Sequence, residues 1–175
     1  TDPVGLLLSH RADWAIVSDV EQNDDVLFKP LFSYEMVGIC SKDHPLANKE
    51  VWQAEDFAEE TWVTYPVPDD MLDLYRQVLK PKGINPPRRT TELTIALIQL
   101  VASRRGIATV PYWAALPYLE KGYVVARKIT EEGLYSNLYA AIRKEDANLA
   151  YIEDFHQTVK AQSFSTLPGL SVLEL

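Results

Sequence analysis

A chain of 175 residues with 47% hydrophobic content can form one domain or two small lobes and is too apolar to remain disordered. Its net charge of −8 argues against a direct grip on a phosphate backbone, which needs a basic face. The single cysteine, Cys40, excludes an internal disulfide, and the longest apolar run, around Leu93 to Ala102, falls short of the roughly 18 to 20 residues that cross a bilayer.

In chain order, Pro3 to Arg11 reads as a short helix with proline at an early position, and Asp13 to Ser18 as a strand. Asp19 to Asp25 is a solvated acidic loop. Leu27 to Tyr34 and Glu35 to Ser41 are strand-like runs with almost no turn signal between them, so one long strand passing between lobes is expected. Cys40 falls at a buried strand position in VGIC, which suits a reducing compartment. Ser41 to Ala47 is a turn and Gln53 to Glu59 a short acidic helix. Trp62 to Tyr65 is a strand. Asp69 and Asp70 then open a helix with Leu72, Tyr75 and Leu79 on one face, ended by Pro81 and Gly83.

Arg88 to Glu92 is a strand leading into the helix that starts near Thr94, which is apolar nearly all round. That helix stops at Arg104 and Arg105, with Gly106 as the expected left-handed residue, and feeds a buried strand, Ile107 to Val110. A helix delivering a buried strand is the repeating step of a parallel α/β sheet, in which ligands sit at the carboxyl ends of strands. Pro111 to Gly122 is helical, with Pro117 expected to kink or split it. Val124 to Ile129 is a strand, and Leu134 to Arg143 is a longer run that can serve as a second passage between lobes. Leu149 to Gln162 is an amphipathic helix using Ile152, Phe155 and Val159, and the tail from Ser163 has loop composition. Crossings near Tyr34 and Leu138 divide the chain into a terminal lobe, residues 1–33 and 138–175, and a middle lobe, residues 34–137.

Catalytic signatures are weak. Ser9, His10 and Asp13, and again Ser41, Asp43 and His44, supply triad residue types without a GxSxG elbow. His10, His44 and His156 are far apart, with no HExxH or CxxC pattern, and no GxGxxG or Walker loop occurs. No catalytic residue, metal or cofactor is assigned, and the chain is expected not to be an enzyme. Helix N-termini near Asp69 and Thr94 can hold a ligand carboxylate through unpaired backbone N–H groups, which suits a small-molecule binder.

Three stretches, LLLSHRADWAIVSD, LFSYEMVGICSKDHPLA and IQLVASRRGIATVP, taken with TDPVGLLL, WVTYPV, LDLYRQVLKPKGI and GLYSNLYAAIR, resemble the effector-binding domain of LysR-type bacterial transcriptional regulators. The similarity spans nearly the whole chain and is strongest to the branch that regulates methionine biosynthesis. The resemblance implies an α/β fold of two Rossmann-like lobes joined by two crossover strands, like the periplasmic binding proteins of type II, with a cleft for a small coinducer. In that branch the coinducer is homocysteine. It further implies that the N-terminal part of the first lobe and a DNA-binding domain precede Thr1, so that this chain is a fragment. DNA is then contacted only through that domain, in a cytoplasmic protein without membrane contact.

Carried over by position, the resemblance places Thr1, Asp2, Pro3, Ile16 and Ser18 of the terminal lobe, and Tyr65, Pro66, Leu93, Thr94 and Ile95 of the middle lobe, at the effector. It also implies a homodimer, and a tetramer in the full-length protein, with Leu6, Leu7 and Leu8 of one copy against Leu72, Tyr75 and Val78 of the other. The alternative is a periplasmic amino-acid-binding protein of a transporter, which shares fold and cleft but needs a secretory signal upstream.

Overall fold

A computed structural model describes residues 2–174, and its backbone clusters into two compact units. One runs to Tyr34 and resumes at Ser136; the other is Glu35–Tyr135. Two strands carry residues of both units, β2 (Val26–Cys40) and β8 (Leu134–Arg143). The two runs around Tyr34 and Glu35 are thus one strand of 15 residues, as the lack of a turn signal implied.

In the first unit, α1 (Pro3–Leu8) precedes β1 (Ala15–Val17), which pairs antiparallel with β8 through Ala15 to Ala141 and Val17 to Tyr139. Val4, Leu7, Val17, Val26 and Ala141 form its first apolar cluster, and Leu31, Phe32 and Ala140 its second. The α1–β1 turn is tied down by Arg143, a buried residue at the end of β8. Its guanidinium donates to the carbonyls of Leu7 (2.9 Å) and Ala12 (2.5 Å) and to the carboxylates of Asp13 (2.7 Å) and Asp146 (2.6 Å). A buried guanidinium is tolerable only when its donors are satisfied in this way.

α4 (Ala150–Thr166) extends past the expected end, and the tail then forms β9 (Leu170–Ser171), which pairs antiparallel with Ser33 and Tyr34 of β2. The face of α4 turned to the core carries Ile152 and His156 rather than Phe155, which is half exposed with its ring edge-on to Trp14 at 5.1 Å. Residues four apart share a helix face more closely than residues three apart, so His156 and not Phe155 follows Ile152 inward. Burial first, and Lys29 second, lower the His156 pKa, with Glu153 opposing.

In the second unit, β4 (Trp62–Thr64) and β5 (Arg88–Thr90) pair in parallel, and Ile107 bridges Trp62 in parallel on the other side of β4. β6 (Ala108–Pro111) and β7 (Val125–Ile129) pair antiparallel with β2, and β3 (Val51–Trp52) pairs parallel with β7. α2 (Thr94–Ala102) buries Leu97, Ile98 and Val101 against Val37, Ile39, Val63 and Val110. α3 (Tyr112–Glu120) continues through Pro117 as one helix. The proline removes one i to i−4 bond near the end of a short helix, which does not stop it.

Three further local expectations change. The helix foreseen from Asp69 is a 3-10 turn at Asp69–Met71 followed by a wide π turn at Tyr75–Leu79; Leu74 and Leu79 face the core, while Leu72, Tyr75 and Val78 are half buried. The left-handed residue after α2 is Arg104 (φ 58°), with Arg104 N–H on Val101 O and Arg105 N–H on Leu100 O, the paired closure of a Schellman motif. Gly106 (φ 154°) does something else: a Cβ there would lie 2.4 Å from Thr61 O, so glycine permits the close approach that lets Ile107 N–H reach Thr61 O and Val63 N–H reach Ile107 O. Leu7, expected at a dimer surface, is 0% exposed in the first unit's core and has no side-chain surface to offer a partner.

Cys40 is fully buried, and burial pushes its thiol up from 9.0 to about 11, against the lowering effect of Arg127 and with a smaller raising effect of Glu60. A thiol reagent should therefore label the native protein far more slowly than the unfolded one. Because the folded pKa is the higher one, the thiol's contribution to stability is complete below pH 9.0 and is lost as pH rises toward about 11. Urea titrations of wild type and Cys40→Ala between pH 8 and 10.5 should show the steeper decline in wild type.

Candidate functional site

The parallel pairing of β4 and β5 delivers the two segments that matter. Tyr65 and Pro66 follow the carboxyl end of β4, and Thr91 to Leu93 follow β5 and lead into α2. There the Tyr65 hydroxyl and Thr94 Oγ1 lie 2.7 Å apart, the one direct hydrogen bond among the described residues that joins two expected effector positions. Thr94 is the first residue of the helix and not its cap: Leu93 occupies the cap position in extended conformation, and no side chain caps this end. The first N–H groups of α2 have no intrahelical partner, since the ladder begins with Leu97 N–H on Leu93 O at 3.0 Å. Leu93 (63%) and Ile95 (58%) expose apolar side chains beside them. Backbone donors, two hydroxyls and apolar flanks make a surface that can take a small anion attached to an apolar stem.

The second expected helix N-terminus offers less. Asp69 is ion-paired with Arg88 and Asp70 with Lys80 at 2.9 Å, so these acids are spent within the unit. In the first unit, Asp2 is the N-cap of α1, its carboxylate accepting the Gly5 N–H at 2.9 Å, with Pro3 as the first helical residue. Ile16 is half exposed on β1 and Ser18 is exposed just beyond it. Thr1 lies outside the described residues.

The catalytic look-alikes are used locally. Ser9 Oγ donates to Gly5 O at 2.8 Å and Ser41 Oγ accepts the Asp43 N–H at 3.4 Å, so neither hydroxyl is paired with a histidine. His44 accepts the Leu46 N–H on Nδ1, which leaves Nε2–H to donate to Glu60 at 3.0 Å. Among the described residues no group of three or more His, Cys, Asp or Glu is placed to hold a metal ion, and no helix is long and apolar enough to cross a membrane. Sequence reasoning passed over Arg88. Its partners Trp62, Asp69 and Tyr75 become neighbours only once β4 and β5 are in register, and no local motif announces that.

Comparison with known proteins agrees over nearly the whole chain. The model of the LysR substrate binding domain matches residues 1–163. The HTH-type transcriptional regulator MetR of Haemophilus influenzae is 85% identical over all 175 residues, and that of Escherichia coli K12 is 35% identical over 173. The chain spans about half the length of these relatives, 57% and 54%. Among solved structures, the regulatory domain of MetR, a LysR family regulator from N. meningitidis, is 65% identical and superposes with a TM-score of 0.92, covering 99% of this chain and 81% of that one. The effector-binding domain of QuiR, solved with shikimate, has a TM-score of 0.74 at 23% identity and shares the fold, over 91% of this chain and 77% of that one.

Asp2 is the side-chain cap of a helix of six residues, so Asp2→Ala should lower stability by about 1 kcal/mol. Asp2→Asn, which keeps the acceptor, should lose less than half of that in the same denaturant titration.

Proposed function

We propose, from the premise that this chain belongs to the LysR substrate binding domain family, that it is the effector-sensing part of a MetR-like regulator of methionine biosynthesis and that its effector is homocysteine. The observation that carries the reading is the Tyr65–Thr94 hydroxyl pair at the uncapped start of α2. Homocysteine presents a carboxylate, an ammonium and a soft thiol-bearing chain. The carboxylate suits the first N–H groups of α2 and the Thr94 hydroxyl, and the chain suits the exposed Leu93 and Ile95. Pro66 shapes the segment that carries Tyr65. Asp2, Pro3, Ile16 and Ser18 are the first unit's proposed contacts, where Asp2 can take an ammonium on the carboxylate oxygen that Gly5 leaves free.

The relatives are regulators and not enzymes, which favours sensing over turnover and over a transport role. In the whole protein, DNA binding belongs to sequence beyond this chain, and the protein works in the cytoplasm as a homodimer or, in full length, a tetramer. Leu6 of α1 and Leu72, Tyr75 and Val78 of the second unit remain the proposed pairing surface, with Leu7 withdrawn because it is core.

Calorimetry of homocysteine with the complete effector domain should show binding that Thr94→Val and Tyr65→Phe each weaken about tenfold, the worth of roughly one hydrogen bond to a charged group. Equal affinity for aromatic acids, or no effect of either substitution, would sink the assignment. Separately, Val78→Glu should give a folded monomer in sedimentation, since an unpaired charge at an interface costs several kcal/mol and a two-fold contact feels it twice. An unchanged dimer would move the interface elsewhere.

A further inference from the structure

Arg88 opens β5 directly opposite Trp62 of β4 in the parallel register. Its guanidinium carbon stands 5.1 Å from the centre of the Trp62 ring and 5.2 Å from that of Tyr75, so the planar group is bounded by aromatic faces from two other segments. Its edges are used as well: Nη1 donates to Asp69 Oδ1, and Nη2 to Asn85 Oδ1 at 3.2 Å. Only arginine combines a fixed charge, a stacking face and a forked set of donors, and at 22% exposure this one is largely withdrawn from solvent.

Asp69 ends the segment that leaves β4 with Tyr65. Pro66 and Pro68 restrict its backbone, and it is folded on itself by Val67 N–H to Tyr65 O at 2.9 Å and Met71 N–H to Pro68 O at 3.0 Å. The segment is therefore held at both ends, by Tyr65 on Thr94 at one and by Asp69 on Arg88 at the other. Arg88 makes its own hydrogen bonds to Asp69 and Asn85, and not to the Tyr65–Thr94 pair.

We propose that Arg88 is a positioning residue for effector recognition, fixing the Tyr65–Asp69 segment through Asp69 so that the Tyr65 hydroxyl is presented to Thr94. The proposal rests on the effector reading given above. Arg88 acts from behind the site, joining β4, β5 and the π turn where the far end of the segment meets the body of the unit.

The test combines amide hydrogen exchange with homocysteine calorimetry on the complete effector domain carrying Arg88→Met, Arg88→Lys, Asp69→Ala or the Arg88→Met/Asp69→Ala pair. Arg88→Met and Asp69→Ala, which removes the acceptor, should each speed exchange at Val67, Met71 and Leu72 by about tenfold while the amides of α2 and β6 keep their rates. Each should also weaken homocysteine about tenfold. The double variant should be no weaker than Arg88→Met alone, because both act along one connection, and Arg88→Lys, which keeps the charge facing Asp69, should recover part of the loss. Asp69→Ala leaves the stacked arginine in place and answers the question should Arg88→Met fail to fold. Unchanged exchange at Val67, Met71 and Leu72 in Asp69→Ala overturns the proposal, as does faster exchange there with unchanged affinity, or a disturbance that reaches α2 equally. If the wild-type domain takes no homocysteine, the effector reading fails on its own account, and the exchange measurements, which need no ligand, still decide whether Arg88 holds the segment.

Discussion

Where Gly106 passes Thr61, backbone meets backbone with no space for a side chain, and the second unit's geometry follows from that approach. Ile107 can then exchange hydrogen bonds with Thr61 and Val63, which seats the strand after α2 alongside β4. With β5 on the opposite side of β4, the carboxyl ends of β4 and β5 lie next to each other, and whatever follows them must share one edge of the sheet. Tyr65 and the start of α2 meet for this reason. Hydrophobic burial fixes the layer: Trp62 and Ile107 on one side, Val63 against Leu97, Ile98 and Val101 on the other, each full side chain worth about 2 kcal/mol of transfer free energy.

The first unit is organised by a charge. Arg143 reaches from the end of β8 into the turn between α1 and β1 and donates to the carbonyls of Leu7, which also accepts the His10 N–H, and of Ala12, while Asp13 and Asp146 neutralise it. α1 has only six residues, too few to be stable alone, and depends on this anchor, on the Asp2 cap and on the burial of Val4 and Leu7. The two units therefore solve a similar problem, a short helix joined to a strand, by different means: a buried arginine paired with carboxylates in one and a glycine-permitted backbone contact in the other.

Most elements were legible because their signals are local. The apolar α2, the β-branched run after it and the uninterrupted stretch through Tyr34 and Glu35 each announce a type and a length. The failures share a cause in being decided by neighbours. Both α1 and α2 end on a left-handed residue that is not glycine, His10 (φ 56°) and Arg104 (φ 58°), so the glycine signal pointed two residues too far at Gly106. His156 carries no apolar label and yet takes the core position, because its spacing from Ile152 favours it over Phe155. Leu6, Leu7 and Leu8 are identical in sequence, and only packing separates the one that is core. At the candidate site, Thr94 was readable as a helix start, whereas its bond to Tyr65, 29 positions away, follows from strand register alone.

The two-residue strand β9 has a meaning beyond its size. It pairs with β2 at Ser33 and Tyr34, just before the stretch of β2 that β6 takes up from Met36. Residues 170 and 171 also lie past residue 163, where the match to the family model ends. A chain trimmed to the family boundary would lose the last three residues of α4 together with β9, and would bare the N–H and C=O groups of β2 at those two positions, an open edge of the kind that recruits other strands. The tail thus covers a stretch of β2 that the family match leaves out, and the limits of a family resemblance are not the limits of the fold.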